Sequence, residues 1–422
     1  MLISFSVENF RSFAKKQTLY MTTASKYFSK LEQKENNFKS NVILTNNEKY
    51  PELLKTACIY GANASGKTKF IDAFFTFTTF FKNKLKEVGE INDFYEPFVF
   101  NDKYLNEPTH FEIKFLLDNS IYEYLLSFNK EKIVDEILIK NNKTVYNIQK
   151  EEFDEEFFKD SYKNTLNKIK NKNYINTFLK EFVNSGDSNI LNNIESYFRE
   201  KLHAANTKFY FVKTAEMFNN KNYREDILNF VKKSDRTIND IKIEDEEIKD
   251  GKKVLINDVV FKDGKAFERS IKGVHKNNTI LSWNLESLGT KAIFGISGAF
   301  IDVLKNGGTI FFDELDSSLH PDLLVYLVQL FHNEEINIGN GQLIFTAHND
   351  ILLDKVFYEK KMKKVNLFRR DQIYFTQKND EEETELYPLT CFKNVRTRDT
   401  VVKLYRDGVF GARPILEEPY WS

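Results

Sequence analysis

The stretch Ala57-Cys58-Ile59-Tyr60-Gly61-Ala62-Asn63-Ala64-Ser65-Gly66-Lys67-Thr68 decides the reading of this sequence. Its first four residues form a short apolar run of the buried-strand type, and the run stops at Gly61. Further on, Phe70, Phe74 and Phe77 recur at i, i+4 and i+7, with Ile71 and Phe75 beside them, which predicts an amphipathic helix. Between strand and helix the residues fit G-x-x-x-x-G-K-[ST]. Glycines let the backbone wrap closely around an anion, and successive N–H groups of such a loop point inward as a nest. The helix N-terminus adds partial positive charge. Gly61, Asn63, Ala64, Ser65 and Gly66 are thus expected to cradle phosphates. Lys67 would reach the β- and γ-phosphates of a nucleotide, and the Thr68 hydroxyl would ligate Mg²⁺.

Such a phosphate-binding loop (P-loop) needs an acidic partner. Thr309-Ile310-Phe311-Phe312-Asp313-Glu314 reads as an apolar strand ending in two carboxylates. Asp313 suits a direct or outer ligand of Mg²⁺, and Glu314 a general base on the attacking water. From Lys67 to Glu314 the separation is 247 residues, far more than in Ras-like GTPases. That interval suits an ATPase whose two lobes meet across an insertion. Just upstream, Glu286-Ser287-Leu288-Gly289-Thr290 opens a helix that continues through Lys291–Ile296. Ser287 and Gly289 there read either as an ordinary N-cap or as a second phosphate-binding device; their position favours the second. Thr346-Ala347-His348 follows the strand Leu343-Ile344-Phe345, 34 residues beyond Glu314. His348 is placed to sense a γ-phosphate or bond the catalytic water.

The rest of the chain organises around these motifs. Ile3, Phe5 and Val7 alternate with Ser4 and Ser6 as in a half-buried strand, and Gln17–Met21 resumes the alternation. A β meander is expected from about Phe98 to Lys140, with a turn at Asp118-Asn119. Residues 150–235, rich in Lys, Glu, Asn and Phe and without Pro, read as a helical insertion. Two short strands are expected around Val254–Phe261, a helix from Pro321 and a last hairpin near Gln372–Leu389. Asp380-Glu381-Glu382-Glu383 reads as a solvated turn. The resulting expectation is an α/β fold with lobe I over 1–149, the insertion over 150–235 and lobe II over 236–422.

Composition narrows the partners. The 422 residues carry 61 Lys+Arg against 62 Asp+Glu, a net charge of −1, whereas general nucleic-acid binders advertise a positive excess. A local basic patch is left open. Two cysteines, Cys58 and Cys391, cannot build a disulfide framework. The first residues lack a signal-peptide pattern, and no apolar run reaches the roughly 18–20 residues of a membrane span. The default expectation is a cytoplasmic protein without a membrane partner.

Together the motifs resemble the bilobal ABC-type P-loop ATPase head of SMC, RecF and OLD-like proteins, a mixed β-sheet core plus an antiparallel β lobe. The family order of P-loop, signature, Walker B with catalytic Glu, D-loop and switch His falls here on Gly61–Thr68, Ser287–Thr290, Asp313-Glu314, Asp316-Ser317-Ser318 and His348. Within that superfamily the chain looks most like compact ATPases of bacterial abortive-infection systems, the RloA/AbiL type and the PARIS ATPase. Asn9-Phe10-Arg11-Ser12-Phe13, Asp313–Pro321, Arg369–Ile373 and Gly408–Pro414 carry that likeness. It implies ATP and Mg²⁺, two heads paired face to face, and Ser287 and Gly289 of one copy on the γ-phosphate held by Lys67 of the other. Asp316 would join that interface, and Arg11 and Ser12 would approach the phosphates. It further implies anti-phage defence, a phage-derived trigger and a protein effector such as a TOPRIM-like nuclease encoded nearby. The chain departs from the pattern in having no Gln between Thr68 and Gln149, and the insertion is too short for an SMC arm. The alternatives are a RecF-like DNA-repair ATPase using a basic surface such as Lys168–Lys172, or an OLD-type nuclease. No Asp-x-Asp follows His348, which speaks against the nuclease.

Overall fold

The structure, a computed structural model, describes residues 1–24, 38–83, 85–158, 162–170, 174–183, 189–205, 210–248, 259–262, 265–358, 363–392 and 400–413. The chain divides into two compact units, one of residues 1–205, 303–315 and 325–422, the other of 206–302 and 316–324. Residues 150–235 contribute to both.

In the first unit, strand Thr56–Gly61 is buried at every position and leads through the P-loop into helix Lys67–Lys82. The strand sits inside a six-stranded sheet ordered Leu202–Ala205, Thr309–Phe312, Gln342–Thr346, Thr56–Gly61, Ile373–Lys378, Thr384–Pro388. The first five run parallel, and the last closes an antiparallel hairpin. Parallel strands covered on both faces read as unbroken apolar runs, which is why Ile310-Phe311-Phe312 and Leu343-Ile344-Phe345 stood out. Leu202–Ala205 did not stand out: Leu-His-Ala-Ala has no β-branched residue and lies in a helical context. The register pairs Phe312 with Phe345 and Thr346 with Ile59. Asp313-Glu314, Ala347-His348 and the P-loop therefore leave the sheet at one edge, outside the carboxyl ends of the strands, where open α/β sheets bind ligands.

A seven-stranded antiparallel sheet completes this unit, ordered Glu152–Phe153, Lys143–Asn147, Ile133–Lys140, Ser120–Phe128, Thr109–Leu117, Leu2–Glu8, Gln17–Tyr20. The meander begins at Thr109 rather than Phe98. Helix Lys67–Lys82 is gripped between the two sheets. Phe74 stacks on Phe311 of the parallel sheet with centroids 3.6 Å apart, while Phe5 of the antiparallel sheet meets Phe70, Phe74 and Phe77 at 5.1–6.0 Å. Strand Leu2–Glu8 is not half-buried as its alternation suggested, since Ser4 and Ser6 are buried too. A bulge between Leu2 and Ser4 also turns Ile3 away from Phe5, into a small cluster with Leu53, Leu116 and Ile121.

The second unit holds strand Ile238–Glu247 against Lys265–His275, which also pairs with Val259–Lys262 and Ile280–Ser282. Of the expected strands around Val254–Phe261, residues 254–258 lie outside the described residues. The long hairpin partners were missed because IKIEDEE and KAFERSIK carry charge throughout and alternate weakly. Helices Tyr210–Phe218, Lys221–Ser234 and most of Leu288–Asn306 belong here. Trp283 packs on Phe294 at 4.9 Å, and a Cβ on Gly298 would lie 2.6 Å from Thr214 Oγ1, so only glycine lets the two helices approach.

Candidate active site

The P-loop backbone alternates hand. Ala64 has φ +63° and Gly66 φ +108°, the dihedral pattern that curves successive N–H groups inward. Gly66 opens helix Lys67–Lys82 without a side chain to cap it, so the first-turn donors are left for a ligand. Lys67 is buried, and its Nζ donates to the carbonyls of Gly61 at 2.7 Å and Ala62 at 3.0 Å. Asn63, Ala64 and Thr68 are exposed. Hydroxyls from the late hairpin brace the loop. Ser65 Oγ lies 2.7 Å from Thr376 Oγ1, and Thr384 Oγ1 lies 3.1 Å from the Ser65 carbonyl and 2.8 Å from Ser12 Oγ.

Opposite the loop, the Asp-Glu pair is held by one residue of the neighbouring strand. Thr346 Oγ1 donates to Asp313 Oδ1 at 2.7 Å and accepts the Glu314 N–H at 2.7 Å. The Thr346 carbonyl accepts the Leu315 N–H at 3.1 Å. Glu314 adopts φ +51°, and its Oε1 stands 3.8 Å from His348 Nε2.

Arg11, Ser12, Asn63–Thr68, Glu314 and His348 line one cavity of about 930 Å³. Gly61 lies beneath it, holding Lys67, and Asp313 closes the strand end beside Glu314. Arg11, at φ +52°, pairs with Asp72 and, at 2.5 Å, with Glu96. Burial raises the Asp72 carboxyl above the ordinary carboxylate value, against the pull of Arg11. Asp72 is one turn beyond Thr68 on the same helix face, a spacing from which it could have been found. Tyr95, Pro97, Val99, Phe100 and Lys378, also in the wall, carried no such signal. The Asp380–Glu383 turn is exposed through Glu382, but Glu383 is buried, with Lys15 at 2.8 Å.

Ser287, Gly289 and Asp316 belong to the second unit. Ser287 Oγ accepts the Thr290 N–H at 3.0 Å, a true N-cap of helix Leu288–Asn306, yet the residue stays exposed. Thr290 Oγ1 donates to Asp235 at 3.1 Å, and a Cβ on Gly289 would sit 3.3 Å from the Ser318 carbonyl. Glu286 is buried and bonds His275 at 3.0 Å, in space that only Gly273 leaves open.

The residues fit a magnesium nucleotide. Gly66 packs so closely on Thr384 that no Cβ fits, which keeps the loop in its inward-curving backbone. Thr68 and Asp313 are hard oxygen donors of the kind Mg²⁺ takes alongside phosphates. Among the described residues no group of three or more His, Cys, Asp and Glu forms a protein-only metal site, and no helix is long and apolar enough to cross a membrane. Fold and site define a P-loop nucleotide-binding protein of α/β class. The chain belongs to the family described as "AAA domain, putative AbiEii toxin, Type IV TA system", which matches residues 57–354. No curated protein matches it. Among solved structures it is similar to the SMC head domain from Thermotoga maritima, at 12% identity, covering 92% of this chain and 98% of that one with a TM-score of 0.40. The SmcHead bound to the C-winged helix domain of ScpA gives 12%, 92%, 97% and 0.43. The Smc head with an extended coiled coil bound to the C-terminal domain of ScpA, from Pyrococcus furiosus, gives 12%, 92%, 96% and 0.41.

Proposed function

We propose that this chain hydrolyses ATP as the regulatory subunit of an anti-phage, abortive-infection system. The observation that carries the reading is the pairing of Glu314 with His348 at 3.8 Å in the cavity that also holds Lys67 and Thr68. Lys67 and the loop N–H groups bind and orient the triphosphate. Glu314 takes a proton from water as its oxygen attacks the γ-phosphorus, and the bond to the β,γ-bridging oxygen breaks to leave ADP and phosphate. His348 is placed to hold that water or the γ-phosphate. Thr68 and Asp313 would hold Mg²⁺, which when bound would neutralise charge on the phosphates.

ATP would join two copies through the exposed Ser287 and the half-buried Gly289 of one and the P-loop of the other, with Asp316 at the seam. A phage-derived trigger would alter that assembly and release a toxic protein effector. The putative AbiEii toxin of a Type IV TA system named in the family description supports a role of this kind. The DNA-repair alternative gains nothing from the basic stretch, because Lys168 pairs with Glu181 and Lys170 with Glu151; Lys172 lies outside the described residues. The test compares Lys67→Ala with Glu314→Gln. Lys67→Ala is expected to lose nucleotide binding. Glu314→Gln is expected to bind ATP, stop turnover and accumulate as a larger assembly by mass measurement with ATP. Turnover by Glu314→Gln at the wild-type rate sinks the base assignment. A steeply salt-dependent, sub-micromolar affinity for duplex DNA would move the reading to repair.

A further inference from the structure

We infer that Thr346 is a positioning residue for hydrolysis, acting through both Asp313 and Glu314; this rests on the ATPase reading above. The side chain is fully buried, so its hydroxyl has no water to bond. It has one proton, and that proton goes to Asp313 Oδ1 at 2.7 Å. Its lone pair takes the Glu314 N–H at 2.7 Å. One hydroxyl thus sets two carboxylates by different means. For Asp313 it engages Oδ1, so that Oδ2 is the oxygen that would hold Mg²⁺. For Glu314 it acts on the backbone, fixing the left-handed turn at φ +51° that brings the side chain to His348. Left-handed backbone is unfavourable for a non-glycine residue and holds only where the surroundings demand it. The demand here comes from Thr346, whose carbonyl also takes the Leu315 N–H. A carboxylate on such a turn loses its aim when the bond is lost, and misplacement on the scale of 1 Å costs roughly 100-fold in rate.

Thr346→Val keeps the β-branched shape at a strand position and removes only the hydroxyl. Its kcat is expected to fall roughly 10- to 100-fold. ATP affinity should stay within about 3-fold of wild type, because Lys67 and the loop are untouched. Thr346→Ser should restore kcat to within about 3-fold. The Mg²⁺ concentration for half-maximal rate should rise in the valine variant and return in the serine variant. A purely packing role predicts the opposite ranking, with valine near wild type and serine impaired, and that result overturns the inference. Should valine fold poorly, serine and Thr346→Ala decide, since both vacate the methyl. Serine active and alanine inactive at equal melting temperature supports the inference; equal kcat in the two overturns it. Wild-type protein that hydrolyses ATP only with Glu314 intact, alongside a fully active valine variant, refutes the role of Thr346 alone. A wild-type chain without ATPase activity refutes the ATPase reading and this inference together.

Discussion

Gly66 answers two demands at once. Its φ of +108° is strained for any L side chain, and a Cβ there would lie 2.5 Å from Thr384 Oγ1. Gly66→Ala is therefore expected to destabilise the protein by about 1–2 kcal/mol from backbone strain alone. It should also eliminate ATP binding, because relief of the clash moves the loop off its brace. Urea unfolding and an ATP titration check both parts. At this scale Gly66, Lys67, Thr68, Asp313, Glu314 and His348 could be picked from the sequence as candidates, since each sits in a short pattern whose chemistry is local. Thr346 lay within a quoted motif, but its hydroxyl only gains meaning from the neighbouring strand. Thr376 and Thr384 had no signal at all. Their partner Ser65 is 311 and 319 residues away along the chain, and only the sheet order joins them.

Helix Lys67–Lys82 is the element that carries the site, and its hold is aromatic. Phe74 is wholly buried and stacked on Phe311. Phe74→Ala is expected to cost about 3–5 kcal/mol, read from denaturant unfolding. Helix Leu288–Asn306 offers a sharper test, because Ser287 serves as its cap whatever else it does. Ser287→Ala should cost about 1 kcal/mol of stability. Ser287→Asp keeps a good cap and adds charge that suits a helix N-terminus, so stability should hold or rise. If Ser287 meets a γ-phosphate of a second copy, that same carboxylate repels it and ATP-dependent assembly disappears. Melting temperature together with mass in ATP, both in the Glu314→Gln background, separates capping from contact. The first helix was legible from the apolar period of Phe70, Phe74 and Phe77, and the second from Lys291–Ile296 following the Ser287 motif. The sheet of Ile238–Glu247 and Lys265–His275 was not, because Asp245 and the buried Arg269 put charge on the packed face as well and blunt the alternation.

Over the whole molecule, acid stability has an identifiable contributor. Burial pushes His332 down to about 3 from its ordinary 6.5, with Lys55 acting in the same direction, and the ring bonds Thr56 Oγ1 at 2.8 Å. Between those two values the unfolded chain takes up a proton that the folded chain refuses. The stability that this histidine contributes is complete above pH 6.5 and drains as pH falls toward 3, at about 1.4 kcal/mol per pH unit. His332→Gln should flatten that share of the slope in urea unfolding between pH 4.5 and 7. If wild type and variant lose stability in parallel, the neutral ring is not the cause. The parallel sheet at the centre was legible strand by strand, but its order was not, since neighbours such as Thr56–Gly61 and Gln342–Thr346 are joined by no local connection.

That sheet order has a consequence for how the protein comes into being. A ribosome releasing this chain exposes the complete Gly61–Thr68 motif early, while Thr376 and Thr384 are still untranslated. Until the Ile373–Lys378 and Thr384–Pro388 hairpin emerges and docks, Ser65 lacks its hydroxyl partners and strand Thr56–Gly61 has no neighbour on that side. A half-made polypeptide therefore carries the whole motif before the hydroxyls that brace its loop exist.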